Sequence, residues 1–391
     1  MRTICEMLAG SAEQGQPPFE VRCLATTATE AGSPDPPLSA LHALGIEPAI
    51  DKLGSARIFR LSRAGVEHAL LDTGAGMVAS WEPTHGGMFD RLLDDTIAAW
   101  RPDILFTFGG QPAEAARRAR VRAVGAAVVF GLRNHGYLSP TAFENVDAVI
   151  TPSAFMSREY EQAIGLISTP MPVPIAPDEV LAPDRQPTYF TYVNPTPAKG
   201  VMFFARLAEE ISRRNSALPI LVVESRGTSG TLVRAGLAGG FDLRRHRNII
   251  TSPGVSEPRQ IFAAARAILA PSVWDEPSGR VAAEALVNEV PPIVSDRGGL
   301  PETVGDGGFV LPLPPELRQS SAVPVPPHAV DEWAGVIERM AQDEAYYRQQ
   351  SRRAALAGQR YAWDRVQRQY VRFFRNVRRG PNRQLGPLRQ R

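Results

Sequence analysis

Short apolar, β-branched runs alternate with amphipathic stretches along most of the chain. Strands are expected at 19–25 (FEVRCLA), 103–108 (DILFTF), 126–131 (AAVVFG) and 147–150 (DAVI), then at 188–193 (TYFTYV), 219–224 (PILVVE), 248–251 (NIIT), 267–270 (AILA) and 291–295 (PPIVS). Helical periodicity fills the spaces between them, at 88–100, 112–123, 153–164, 200–214, 257–265 and 279–288. Strands alternating with helices predict parallel sheets covered on both faces. The pattern runs twice. It breaks at the proline-rich stretch 170–187, PMPVPIAPDEVLAPDRQP, where repeated proline blocks both helix and sheet hydrogen bonding. The reading is α/β, with two Rossmann-like domains, 1–170 and 188–364, joined by a linker at 171–187 and facing each other across a cleft. Such pairs bind ligands at the carboxyl ends of their strands.

Smaller features complete the pattern. Segment 59–72, FRLSRAGVEHALLD, reads as a hairpin that turns on Ala-Gly. Segment 313–330 is proline-rich and reads as a surface loop. From 331 to 377 the chain is helical, with Trp333, Ile337, Met340, Tyr346, Tyr347, Tyr361, Trp363, Tyr370 and Phe373 supplying apolar faces. The piece 365–377 is expected to pack back on the first domain. The basic tail 378–391, RRGPNRQLGPLRQR, is expected to be a solvated end, with contact to a membrane surface or polyanion as the other reading.

Composition narrows the class. A chain of 391 residues, 43% hydrophobic and 21% charged, suits a globular protein of two domains at roughly 150 residues each. A net charge of +2 gives no argument for nucleic acid. No apolar run reaches the roughly 18 residues that a membrane helix needs. The opening MRTICEMLAGSAEQ lacks the basic-then-apolar order of a signal peptide. A cytoplasmic protein is expected, in peripheral contact with the inner membrane face at most. Cys5 and Cys23 are too few for a disulfide framework. The histidines at 42, 68, 85, 135, 246 and 328 show no HxxxH or HxH spacing, so no metal site of that kind is expected. Of 43 basic residues only Lys52 and Lys199 are lysine, which marks Lys199 as a place where a compact ammonium is wanted.

The chemistry concentrates in 267–304, where Glu276 and Glu284 stand eight positions apart around the Pro-Ser-Gly that opens a helix. A helix start binds anions through its free amide groups and partial positive charge. Gly279 is expected to let a phosphate approach the backbone, with Ser278, Arg280 and Val281 beside it. Glu276 at the cleft rim can accept hydrogen bonds from sugar hydroxyls, and Glu284 can take both hydroxyls of a ribose. The segment PSVWDEPSGRVAAEALVNEVPPIVSDRGGLPE resembles the retaining GT-B glycosyltransferases of family 4, whose second domain carries an E-x7-E motif in this setting; the resemblance covers most of 188–310. It implies a GT-B fold and transfer of a sugar from a nucleoside diphosphate sugar, with Glu276 on the donor sugar and Glu284 on the ribose.

The same resemblance assigns the lysine of TYVNPTPAKG, Lys199, to the donor diphosphate, with Gly200 opening the next helix. The arginine usual in that turn is replaced by Asn194, and Arg226, after the next strand, is the candidate to compensate. The loop TSPGVSEP around Val255 is expected to lie against the nucleobase. Gly298, Gly299 and Glu302 of RGGLPE resemble a structural turn of the family.

In the first domain, the loop Gly109-Gly110-Gln111 and the loop from Arg133 to Tyr137 follow strands and can face the cleft. Asn134, His135, Gly109 and Gly110 are the candidates on the acceptor or sugar side. The basic face of helix 112–123 is expected to be solvated, with an anionic surface as the other reading. The family's first strand and its glycine-rich loop are missing, and Ile4, Met7 and Leu8 read as the helix that follows them. That pattern raises the expectation of a start upstream of Met1. The implied activity is retaining transfer to an acceptor hydroxyl in cell-surface polysaccharide or glycolipid synthesis. A UDP-sugar is the first candidate donor, the acceptor is a carbohydrate or lipid-linked, and neither a cofactor nor a metal is expected. The rival readings are a nucleotide-sugar-binding pseudoenzyme and a GT-B epimerase; an oxidoreductase is set aside because no GxGxxG follows a strand.

Overall fold

The computed structural model describes residues 1–11, 17–29, 35–74, 76–77, 80–318 and 323–379. Of the basic tail, 380–391 and the side chains of Arg378 and Arg379 lie outside the described residues.

The first domain opens with helix α1 (Arg2–Ala9). Strand β1 (Val21–Thr26), helix α2 (Pro37–Ala43) and strands β2 (Ala49–Leu53), β3 (Ala56–Arg63) and β4 (Val66–Leu71) follow. These strands form one sheet in the order β1-β4-β3-β2, with β1 parallel to β4 and the other pairs antiparallel. The β3–β4 hairpin turns on Ala64 and Gly65, both with positive φ (49° and 76°), the twist that two-residue hairpins favour. Strand β2 and helix α2 were not expected from the pattern; β2 is exposed along four of its five residues, so it carries no alternating apolar signal.

Helix α3 (Glu82–Trp100), strand β5 (Ile104–Thr107), helix α4 (Pro112–Ala123), strands β6 (Ala127–Gly131) and β7 (Ala148–Thr151), helix α5 (Ala154–Ile164) and strand β8 (Thr169–Pro170) make a second sheet, all parallel, in the order β5-β6-β7-β8. All five residues of β6 are buried, as a strand covered on both faces requires. The expected single Rossmann-like sheet is therefore divided: among the described residues no ladder joins β1 to β5. Packing bridges the division instead. Leu24 of β1 and Leu105 of β5 lie on one cluster with Leu93, Ile97 and Val121. On the opposite face Val21, Ile104 and Phe106 border a cluster built from Ile4, Met7 and Leu8 of α1 and from the last helix of the chain.

The linker 171–187 holds one short helix, α6 (Pro177–Val180), despite its prolines. Pro177 takes the first helical position, where its missing N–H is not needed.

The second domain alternates strand and helix: β9 (Tyr189–Val193), α7 (Val201–Arg214), β10 (Ile220–Val223), α8 (Ser229–Ala238), β11 (Ile249–Ser252), α9 (Arg259–Ala264), β12 (Ala265–Ala270), α10 (Arg280–Val287), β13 (Pro292–Ser295), α11 (Leu300–Val304) and β14 (Phe309–Leu311). Its six strands are parallel, in the order β11-β10-β9-β12-β13-β14. Chain order reverses between β9 and β12, which opens a crevice at their carboxyl ends. Phe190, Tyr192, Phe203, Phe204 and Trp333 fill one face of this sheet, and Ile268, Leu286, Phe262 and Tyr361 the other. Helices α12 (Asp331–Gln342) and α13 (Glu344–Gly358) close the domain.

Helix α14 (Trp363–Arg379) then crosses to the first domain. Its Val366, Tyr370, Val371 and Phe374 are buried with Val129, Ile150 and the apolar side of α1. No helix among the described residues is long and apolar enough to cross a membrane.

Candidate active site

The site begins where β9 and β12 lie side by side. The loop after β9 carries Lys199, and the loop after β12 carries Glu276. Gly200 stands between Lys199 and α7 with φ of 77°, and a Cβ there would collide with the carbonyl of Pro271. Glycine is what lets the two loops touch. Val273 N–H donates to the Ala198 carbonyl at 3.1 Å, which locks the contact.

Lys199 Nζ then lies 2.5 Å from Glu276 Oε1. Ser272, not foreseen from the sequence, donates its hydroxyl to the same oxygen at 2.6 Å, and Ser295 donates to the Ser272 carbonyl at 2.6 Å. Glu276 is only 6% exposed, so its charge depends on these partners. The Lys199 ammonium also stands 5.6 Å from the ring centre of Trp274, an exposed aromatic beside the cleft.

The Gly298-Gly299 turn forms the bed under this loop. Gly299 N–H donates to the Glu276 carbonyl at 2.7 Å, and Gly298 N–H to Asp275 Oδ1 at 3.1 Å. A side chain at Gly298 would strike the Glu276 backbone. Thr303 Oγ1 donates to the Ser278 carbonyl.

Helix α10 starts after Gly279, whose φ is 86°. A Cβ at Gly279 would run into Leu300. Backbone conformation and packing against Leu300 thus both require glycine at this position. Val281 packs partly against Ala270, Val294 and Leu300. Glu284 is buried, and its Oε1 accepts from Arg280 Nε at 2.7 Å, one turn away on the same helix. Burial pushes the Glu284 carboxyl above its ordinary value, and Arg280 offsets part of that rise.

The other donor-side candidates lie on neighbouring loops. Asn194 adopts φ of 65°, and its Oδ1 accepts the Gly227 N–H at 2.9 Å. It ties the loop after β9 to the loop after β10 instead of supplying a cation. Arg226 is exposed on that second loop, and Val255 is half-buried after β11.

The first domain meets this site through side chains on two loops. His135 Nε2 lies 2.9 Å from the Asp275 carbonyl, and its Nδ1 lies 2.8 Å from Glu159 Oε2. The second contact is close without the alignment of a hydrogen bond. Ser153, the N-cap of α5, donates to the Pro277 carbonyl at 2.5 Å. Glu302 reaches across from the second domain and accepts the amide hydrogens of Ala154 (2.7 Å) and Phe155 (2.9 Å) at the start of α5.

Other candidates of this domain have local partners. Asn134 is exposed, with its Oδ1 on the Gly136 N–H. Gly109 has φ of 100°, and its carbonyl accepts from Arg118 at 2.8 Å. A Cβ at Gly110 would lie 2.7 Å from the Tyr137 ring. Both glycines thus answer to packing against their own domain. The basic face expected on α4 to be solvated is so only in part, with Arg120 exposed and Arg117 and Arg118 buried. Arg117 is buried among Glu82, Asp90 and Glu114, and Arg118 among the carbonyls of Gly109, Ala142 and Glu144. Arg120 pairs with Asp94 and Arg122 with Asp147. Carboxylates on neighbouring elements neutralise the helix, a feature its own periodicity cannot reveal. Among the described residues no three His, Cys, Asp or Glu side chains are grouped to hold a metal ion.

Residues 178–357 match the family model "Glycosyl transferases group 1". No curated protein matches the chain in sequence. Among solved structures the chain is similar to sucrose-phosphate synthase from Thermosynechococcus elongatus, at 17% identity and TM-score 0.66, over 96% of this chain and 92% of that one. It is similar to the catalytic domain of starch synthase IV from Arabidopsis thaliana bound to ADP and acarbose, at 13% identity and TM-score 0.62, over 93% and 100%. It is also similar to HepE of Anabaena in complex with UDP and glucose, at 16% identity and TM-score 0.56, over 80% and 87%. The chain has the two-domain GT-B fold, and the family match over its second domain supports glycosyltransferase activity.

Proposed function

We propose that the chain is a retaining glycosyltransferase that moves a sugar from a nucleoside diphosphate sugar to an acceptor hydroxyl. The observation that carries this reading is the convergence of Lys199 and Glu276, from loops 77 positions apart, at the switch point of the second sheet. Lys199 and the free amide groups at the start of α10 take the diphosphate, in the place a divalent metal fills in other designs. Stabilising that leaving group is the main catalytic work assigned to the protein. Glu276 accepts from the sugar hydroxyls and Glu284 from the ribose. Ser278, Gly279, Arg280 and Val281 line the phosphate side, Gly200 positions Lys199, and Val255 lies toward the base. His135 and Asn134 stand on the sugar and acceptor side.

A UDP-sugar is the first candidate donor, since HepE is described with UDP and glucose; the ADP complex of starch synthase IV makes an ADP-sugar the second. The acceptor is a carbohydrate or a lipid-linked one, in cell-surface polysaccharide or glycolipid synthesis. Peripheral membrane contact falls to Arg365, Arg368 and Arg372, exposed on α14, because the arginines of α4 are neutralised. One observation favours a second reading, a pseudoenzyme that binds donor without turnover: Asn194 supplies no cation to the diphosphate and is spent on the Gly227 amide.

A thermal-shift panel of UDP, GDP, ADP and their sugars, run beside Glu284→Ala, tests the donor site. Stabilisation by one nucleotide family, lost in the variant, is expected; no response from a folded sample would remove the proposal. Turnover of the stabilising sugar nucleotide then separates enzyme from pseudoenzyme.

A further inference from the structure

Each of the two glutamates holds a cation. Lys199 sits on Glu276 at 2.5 Å and Arg280 on Glu284 at 2.7 Å. The two carboxylates are 6% and 8% exposed, so neither can fall back on water if its partner leaves. Glu276 is the more tightly constrained, because Lys199 and Ser272 meet on a single oxygen, Oε1. A diphosphate entering this crevice needs the same ammonium. Taking it strips a buried carboxylate of its counter-charge, which is strongly unfavourable unless new donors replace it. An intact sugar nucleotide brings those donors as sugar hydroxyls. A free nucleoside diphosphate does not.

We infer that Glu276, through its ion pair with Lys199, makes the site discriminate between a nucleoside diphosphate sugar and the bare nucleoside diphosphate left after transfer. Lys199 changes partner from Glu276 to the diphosphate on loading and returns to Glu276 as the spent diphosphate departs. The ion pair therefore favours product release and limits product inhibition. This inference rests on the donor-site reading above.

UDP, GDP and ADP titrated calorimetrically against the wild type and Glu276→Gln, then the glucose nucleotide of whichever binds, test it. The glutamine variant removes the charge that competes for Lys199. It is expected to bind the free diphosphate about tenfold more tightly than the wild type, about 1.4 kcal/mol. It is also expected to bind the sugar nucleotide more weakly, so the preference for intact donor collapses. A variant that binds the free diphosphate no better than the wild type overturns the inference. If the wild type binds neither free diphosphates nor sugar nucleotides, the donor-site reading itself fails, and the inference falls with it.

A second measurement needs no site variant. With only Lys52 and Lys199 in the chain, isotope-labelled lysine gives two side-chain signals in a magnetic resonance spectrum, and Lys52→Arg assigns them. The Lys199 signal is expected to be that of a held ammonium in the ligand-free protein and to move when the nucleotide is added. A Lys199 ammonium as free as that of exposed Lys52 overturns the inference whether or not Glu276→Gln folds.

Discussion

The carbonyl of Asp275 in the second domain lies 2.9 Å from Nε2 of His135 in the first, one position before the glutamate that Lys199 holds. The contact spans 140 positions of sequence and fixes the site loop against the opposite wall. Replacing His135 by alanine removes one hydrogen bond between domains. kcat/KM is expected to fall about tenfold, the order of a single such bond. Binding of the nucleoside diphosphate, assigned in the proposed function to residues of the second domain, is expected to stay near the wild-type value. Kinetics beside calorimetric titration check this, and a parallel loss of nucleotide binding would contradict it.

Glu302 caps a helix that belongs to the other domain. Its carboxylate holds the amides of Ala154 and Phe155 at the start of α5. Losing a cap costs about 1 kcal/mol, so Glu302→Ala is expected to melt earlier. It is also expected to expose the linker 171–187 to limited proteolysis sooner, since the cap bridges the domains. Equal cleavage rates would show that the bridge does not restrain them.

Lys199→Ala removes the cation proposed to hold the leaving group. Losses from removing one such stabilising group run to about a hundredfold or more in turnover. Sugar-nucleotide affinity is expected to weaken as well; an unchanged dissociation constant would end the assignment of Lys199 to the diphosphate.

Glu284 sets a pH dependence. Burial raises its carboxyl in the folded protein above the ordinary value of 4.5, while Arg280 lowers it only in part. Between those two values the folded state binds more protons than the unfolded one, so stability falls as pH rises through that window. Glu284→Gln removes this slope. Denaturation of both proteins from pH 4 upward, in steps through about pH 7, is expected to show the wild type losing stability relative to the variant as pH rises. In the proposed role the carboxylate accepts from ribose hydroxyls, so donor affinity is expected to move the opposite way, strengthening with pH over the same range. A constant difference between the two proteins would place Glu284 outside this role.

Phe374 is 2% exposed, and its ring stands edge-on to Phe106 at 5.3 Å. Phe374→Ala is expected to cost about 3–5 kcal/mol, read as a lower denaturation midpoint. A much smaller loss would mean that α14 is weakly docked on the first domain.

The second half of the molecule was legible because its chemistry is contiguous. Glu276, the start of α10 and Glu284 fall within one strand–loop–helix passage, and that local order carries both their spacing and their environment. Lys199 was legible through its turn and through the scarcity of lysine. What the sequence concealed is relational. The partners of Glu302 and His135 lie 140 to 148 positions away, and no local pattern points to them. Arg117 and Arg118 read as a polar helix face because, Glu114 apart, the carboxylates and carbonyls that bury them sit outside α4. The division of the first sheet was equally hidden: β1 and β5 each look like ordinary strands, and only the ladder pattern shows that they do not pair.

The chain passes between the domains twice, once along 171–187 and again at 359–362, and Tyr370 beyond the second passage donates its hydroxyl to the carbonyl of Pro172 in the first at 3.1 Å. The two passages therefore run side by side, like two hinge pins on one edge of a door. A single tether would let the halves twist and slide freely; a paired one leaves a swing about one axis as the easy motion. The bridges at His135, Ser153 and Glu302 then act as a latch between the two halves that this paired tether joins.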